Sequence, residues 1–314
     1  MKQIRSRLKP YLRFAIVGGT LFFLAKVLKD RAAEVAAIRI SAVGWASLAV
    51  AIGVTLLAHI WSGWVWSWIL RELDRPIGGV WSVKVYLKTN IAKYLPGNVW
   101  HFYGRIKAAI DAGVSPGTAT LSVLLEQLLM AASGLLVALI SALPVQAGGL
   151  PDPLRWLGFV ALAAVLVGVH PWILNPLIQW VSRLKAKAKG FATVDTSTFR
   201  MKRYPLLPLL GEMGFLSLRG IGFLFTWQAV KEVHPSQIFL LLGAFSLAWL
   251  LGLVVPGAPG GIGVFEASAI ALLDRSFSPG LILSAVALYR LVSILAEAIG
   301  AGLIFLESRL TANS

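Results

Sequence analysis

The sequence predicts an all-α polytopic membrane protein with about six spanning helices and two re-entrant hairpins broken at Pro-Gly, arranged as an inverted repeat. Three observations carry this. Hydrophobic residues make up 57% of the 314-residue chain and charged residues only 14%, against about a quarter in a soluble domain. Apolar stretches long enough to cross a bilayer recur along its length, so residues 1–314 read as a single membrane domain. The third observation is a match between two portions of the chain at one fixed offset.

The elements follow in order. Residues 14–28 come after a basic head of Lys2, Arg5, Arg7, Lys9 and Arg13, like the core of a secretion signal. No convincing small-residue cleavage site follows and Lys26 interrupts the end, so a retained first helix is expected. Further full-length spans are expected at 42–70, 118–142, 156–181, 206–230 and 281–306. Two segments depart from this pattern. Residues 80–110, "VWSVKVYLKTNIAKYLPGNVWHFYGRIKAAI", carry Lys84, Lys88, Lys93, Arg105 and Lys107 around Pro96-Gly97. Residues 237–273 place an apolar arm of about 18 residues before "PGAPGGIG" and one of about 12 after it, the second too short to span. Each reads as helix, break, helix.

The internal match ties these pieces together. At an offset of 163 positions, Pro96-Gly97 meets Pro259-Gly260, Asp111 meets Asp274, and Ser115-Pro116-Gly117 meets Ser278-Pro279-Gly280. Repeat 1 therefore covers 42–142 with its hairpin at 80–110, and repeat 2 covers 205–306 with its hairpin at 237–273. The basic segment 183–203 lies between the halves as an expected cytoplasmic loop.

Charge sets the expected orientation. With a cytoplasmic N-terminus and both hairpins re-entrant, twenty Lys/Arg fall on inside segments and seven outside. Both termini are then cytoplasmic, span 42–70 runs inward and 206–230 outward. The net charge of +15 is thereby explained by topology, and no nucleic-acid partner is expected. The absence of cysteine excludes a disulfide framework, a thiolate metal site and a cysteine nucleophile.

Ionisable residues inside spans are the candidates for function, because each is costly in hydrocarbon. Glu212 and Arg219 share a face of one helix, as do Arg290 and Glu297 of another, each pair seven residues apart. Glu126 occupies a repeat-related position beside that of Arg290, which makes a Glu126–Arg290 pair across the bundle plausible; structural ion pairing is the competing reading. Glu266 opens the half-helix after Pro256, Gly257, Pro259, Gly260, Gly261 and Gly263, where a carboxylate also suits the helix dipole. His101 lies beside the first break, where it could carry a proton, meet a phosphate or sit at the interface. No Gly-Lys-Ser/Thr loop, dinucleotide fingerprint or metal-ligand spacing is present, so no cofactor and no metal are expected.

"KYLPGNVWHFYGRI" (93–106) and "PGAPGGIGVFEASAIALL" (256–273) together resemble the two signature regions of the lysylphosphatidylglycerol synthase transmembrane-region family, flippase-like integral membrane proteins. The resemblance maps Pro96, Gly97 and Arg105 onto the first region and Pro259, Gly260, Gly261, Gly263 and Glu266 onto the second, and it extends from about residue 12 to 306. It implies a multi-pass protein of a bacterial cell membrane that handles lipids. "NVWHF" departs from the small residues common in relatives. With the chain reaching Ser314 soon after its last span, aminoacyl transfer is not expected and the protein is not expected to be an enzyme. The expected function is binding or translocation of an anionic lipid, a phospholipid or a polyprenyl-phosphate-linked precursor. Arg105, Arg219 and Arg290 would neutralise phosphate, and Glu126, Glu212, Glu266 or Glu297 would share the site. Alternatives are a non-transporting scaffold that partners pathway enzymes and, further off, a lipid-modifying enzyme.

Overall fold

The computed structural model describes residues 40–94, 99–142, 152–176, 201–255 and 261–312. The expected first helix at 14–28, most of the loop 183–203, and Pro96, Gly97, Pro256, Gly257, Pro259 and Gly260 lie outside the described residues. The described chain is helical and has no strand. Its helices are α1 (Ala42–Glu72), α2 (Gly79–Asn90), α3 (Trp100–Asp111), α4 (Pro116–Ala142) and α5 (Asp152–Gly168), followed by α6 (Leu206–Val230), α7 (Ile238–Val254), α8 (Val264–Leu273) and α9 (Pro279–Ala312). A 3₁₀ turn, Ile91–Tyr94, extends α2, and another, Pro235–Gln237, leads into α7.

Local chemistry places the boundaries. Ser41 caps α1 by accepting the Gly44 N–H at 3.1 Å. The repeated Ser-Pro-Gly has the same explanation twice. Ser115 accepts the N–H of Thr118 at 3.3 Å and Ser278 that of Leu281 at 3.4 Å, while Pro116 and Pro279 open α4 and α9 at a position whose N–H has no helical partner.

Among the described residues, five stretches are long and apolar enough to cross a membrane: Ala42–Glu72, Pro116–Ala142, Leu206–Val230, Pro235–Val254 and Pro279–Thr311. Four match expected spans. The fifth is the first arm of the expected second hairpin, which together with its lead-in turn reaches 20 residues. The span expected at 156–181 is shorter. Helix α5 stops at Gly168 and the chain turns at Val169 and His170 before another helical stretch at 171–176, because Pro171 supplies no N–H to continue the ladder.

α1 and α6 form the central seam and pack antiparallel, Thr55 beside Gly222 and Val65 beside Gly211. A Cβ at Gly211 would lie 2.6 Å from Val65 and one at Gly222 2.7 Å from the Thr55 hydroxyl, so only hydrogen fits where these backbones meet. Trp61 fastens the seam by donating Nε1–H to the Gly211 carbonyl at 2.7 Å. Around it the packing is reciprocal: α4 lies on α6 and α7, and α9 lies on α1 and α2. α2 meets α3, and α7 meets α8. Each short helix also rests on the long helix that follows it, α3 on α4 and α8 on α9. An aromatic cluster of Phe223, Phe245, Phe265 and Tyr289 locks α6, α7, α8 and α9 together, with Phe223 and Phe245 stacked at 5.2 Å and Phe265 and Tyr289 at 6.0 Å.

Candidate functional site

A cavity of about 750 Å³ lies between the halves, a volume suited to a small-molecule or lipid head group. Lys93 and Arg105 come to it from the first hairpin, Arg219 from α6 and Arg290 from α9. No carboxylate lines it among the described residues. Among the described residues, four cationic side chains therefore line the cavity and no acidic one does.

The acids stand behind the bases. Arg105 of α3 is 2% exposed and hydrogen-bonds Glu126 of α4, itself fully buried, while its guanidinium carbon lies 4.6 Å from the Tyr86 ring centre. Arg290 of α9 donates from Nε to Glu266 Oε1 at 2.7 Å and from Nη2 to the Gly261 carbonyl at 2.8 Å. Glu266 also accepts the Gly263 N–H at 2.5 Å, which satisfies one of the open donors at the start of α8. Gly261 and Gly263 have φ of +69° and +85°, a region that side-chain-bearing residues rarely enter, and this is why glycines surround the break. Lys93 donates to Glu297 Oε1 at 2.5 Å; His59 Nε2 lies 3.1 Å from the same oxygen, and His59 Nδ1 is 3.3 Å from Asn90. Glu297 of α9 thus ties the first hairpin to the second half.

The structure differs here from an expectation drawn from the sequence. Glu126 does not pair with Arg290. Each short helix instead makes its ion pair with the long helix beside it, and the polarity is reversed between halves: arginine on α3 with glutamate on α4, glutamate on α8 with arginine on α9. The same-face pairs within a helix do not bond either. Arg219 donates to Ser293 Oγ at 3.3 Å and faces the Tyr289 ring at 5.0 Å, and Glu212 is fully buried with neither carboxylate oxygen hydrogen-bonded among the described residues.

Of the sequence candidates, Arg105, Arg219, Arg290, His101 and Gly261 line the cavity. Glu126, Glu266 and Glu297 hold Arg105, Arg290 and Lys93 of that lining, while Glu212 and Gly263 lie off its surface. Lys93, His59 and Tyr289 belong to the site and were not among the candidates.

Much of the remaining lining is apolar. Leu124 and Leu128 of α4 and Val254 at the end of α7 line the cavity and are 56%, 40% and 62% exposed, so this part communicates with the surroundings of the protein.

The family model of the lysylphosphatidylglycerol synthase TM region matches residues 11–300. This chain belongs to that family. No curated protein matches it. In this lysylphosphatidylglycerol synthase TM-region protein, the matched length contains both hairpins and every cation of the cavity. The two motifs that carried the resemblance contribute Lys93, His101, Arg105 and Gly261 to the cavity wall.

Proposed function

We propose that this protein binds an anionic lipid, a phospholipid or a polyprenyl-phosphate-linked precursor, and moves it between the leaflets of a bacterial cell membrane. The observation that carries the reading is the mixed lining of the cavity, four cations together with exposed leucine and valine side chains. A guanidinium holds phosphate bidentately, and an apolar opening lets chains remain in hydrocarbon while the head is bound. The reciprocal packing of α1–α4 and α6–α9 supports an inverted repeat, and in the proposed mechanism its halves rock around the bound head group. The proposal takes both hairpins as re-entrant and both termini as cytoplasmic. In that motion the ion pairs behind the wall keep the cations in place between turnovers. The proposal includes no chemical step. A scaffold for pathway enzymes would be served as well by a closed, apolar interior, so the lined cavity favours transport.

The test is a leaflet-sidedness assay in proteoliposomes with fluorescent anionic and zwitterionic lipids, comparing wild type with Arg105→Ala and Glu266→Ala. Movement of the anionic lipid that both substitutions abolish, in protein that remains folded, is the expected result. Equal movement by all three proteins, or none by any, overturns it.

A further inference from the structure

Three of the four cavity cations already have a carboxylate: Glu126 for Arg105, Glu297 for Lys93 and Glu266 for Arg290. Arg219 has none among the described residues. Its side chain bonds Ser293 Oγ and lies over the Tyr289 ring, and its Nε is buried without a hydrogen-bond partner among the described residues. The residue is 6% exposed and lines the cavity. His101, 8% exposed on the same cavity, likewise has a buried Nδ1 without a partner among the described residues. Two buried polar atoms of cavity-lining residues thus have no hydrogen-bond partner among the described residues, and the directly bonded charges of the cavity leave one positive charge over.

We propose that Arg219 is the anchor of the site and that its ligand is a lipid whose head carries one negative charge, a phosphodiester without an ammonium group. This rests on the anionic-lipid reading above and narrows it. A buried guanidinium with open N–H donors is satisfied by a phosphodiester, which offers two equivalent oxygens to the planar fork. A phosphomonoester or diphosphate brings further charge that finds its counter-ions only by breaking one of three existing pairs, each of which would leave a carboxylate stranded in the interior. An ammonium-bearing head fails for the opposite reason. The surplus positive charge repels it, and no carboxylate among the described residues lines the cavity to receive it. Glu212 hydrogen-bonds none of the four cations and acts on Arg105 only through space, so it is left out of the count of direct pairs and is tested separately. Leu124, Leu128 and Val254 supply the surface along which the chains leave.

The experiment is native mass spectrometry of the full chain in neutral detergent, titrated with phosphatidylglycerol, phosphatidic acid, phosphatidylcholine, a polyprenyl diphosphate and the deacylated diester glycerophosphoglycerol. Phosphatidylglycerol is expected to bind about tenfold or more tightly than each of the others, a difference of about 1.4 kcal/mol. Arg219→Gln is expected to abolish the preference over phosphatidylcholine, and Glu212→Gln to leave the order unchanged. Folding is checked by thermal unfolding. Should Arg219→Gln not fold, Arg219→Lys keeps the charge without the fork, and several-fold weaker binding with the same lipid order is expected. Tighter binding of phosphatidic acid or the diphosphate would overturn the single charge while leaving an anionic-lipid carrier intact. No preference for any anionic lipid would overturn both. Equal binding of the deacylated diester would remove the lipid requirement, and wild-type affinity in either Arg219 variant would remove the anchor. A Glu212→Gln protein that prefers the diphosphate would show the charge count to be wrong.

Discussion

Arg290 of α9 and Glu266 of α8 are joined beside the second Pro-Gly break: Nε of the arginine donates to the carboxylate at 2.7 Å while its Nη2 reaches the Gly261 carbonyl at 2.8 Å. A cavity cation is thereby fastened to the backbone of the hairpin. The two members are 21% and 7% exposed, so the pair is partly shielded from water. Breaking a buried pair costs about 3–5 kcal/mol, and the greater exposure of the arginine brings the expectation for Glu266→Ala to about 2–3 kcal/mol. Glu266→Gln keeps an acceptor for the Gly263 N–H and is expected to lose about half as much. Unfolding midpoints in detergent, followed by circular dichroism, measure both, and an unchanged midpoint for the alanine variant would remove the carboxylate from the architecture of the break.

Arg105 and Glu126 make the corresponding link in the first half, where both side chains are almost wholly buried. Their stabilising and ligand-binding roles can be separated. Glu126→Ala alone strands Arg105 and is expected to cost about 3–5 kcal/mol. Arg105→Met combined with Glu126→Met removes both charges at similar volume and is expected to recover most of that stability. The double variant should nonetheless bind anionic lipid more weakly than wild type, because one of four cavity cations is gone. A stable double variant with undiminished binding would show that Arg105 is purely structural.

The sequence makes some of this organisation readable and conceals the rest for a physical reason. The repeated Ser-Pro-Gly was legible because capping is local: Ser115 and Ser278 act within three residues of themselves. The central spans were legible because crossing hydrocarbon demands an uninterrupted apolar run. The end of α5 was carried by Pro171, whose breaking power the surrounding apolar residues masked. Ion-pair partners were not legible from helical spacing. Seven residues place Glu212 and Arg219 on one face, yet the bonds that form run between a short helix and the long helix it rests on.

A signal for those pairs was nevertheless present. Arg105 precedes Glu126 by 21 residues and Glu266 precedes Arg290 by 24, opposite charges at similar separations across the same helix–turn–helix unit in each half. Lys93, His59 and Asn90 are harder to find. They converge on or near Glu297 from separate elements, and only the folded arrangement brings them together.

Close backbone approach gives a third prediction. Gly261 has φ of +69°, and a Cβ there would lie 3.0 Å from Gly252 Cα and 3.1 Å from its carbonyl oxygen. Gly261→Ala must therefore both strain its own backbone, by about 1–2 kcal/mol, and push α7 away. Gly53, exposed in the middle of α1 with nothing within 4 Å of where a Cβ would stand, has neither constraint. Gly53→Ala is expected to stabilise by up to about 1 kcal/mol through helix propensity. Unfolding midpoints that move in opposite directions confirm the contrast, and equal shifts would refute it.

The inverted arrangement yields the last prediction, which the absence of cysteine makes direct to test. Asp111 and Asp274 stand at the ends of the two short helices, are exposed, and correspond at the offset that relates the halves. Asp111 pairs with Lys107 at 2.7 Å, an exposed contact whose loss costs little, so Asp111→Cys and Asp274→Cys should both fold as wild type does. If one hairpin enters from each face, a membrane-impermeant maleimide reaches Cys at 274 in intact cells and Cys at 111 only in inverted vesicles. Labelling of both from one side would make the duplication parallel. The cavity and its cations would remain, but the halves could no longer exchange roles across the membrane, and rocking of one repeat against the other would lose its basis.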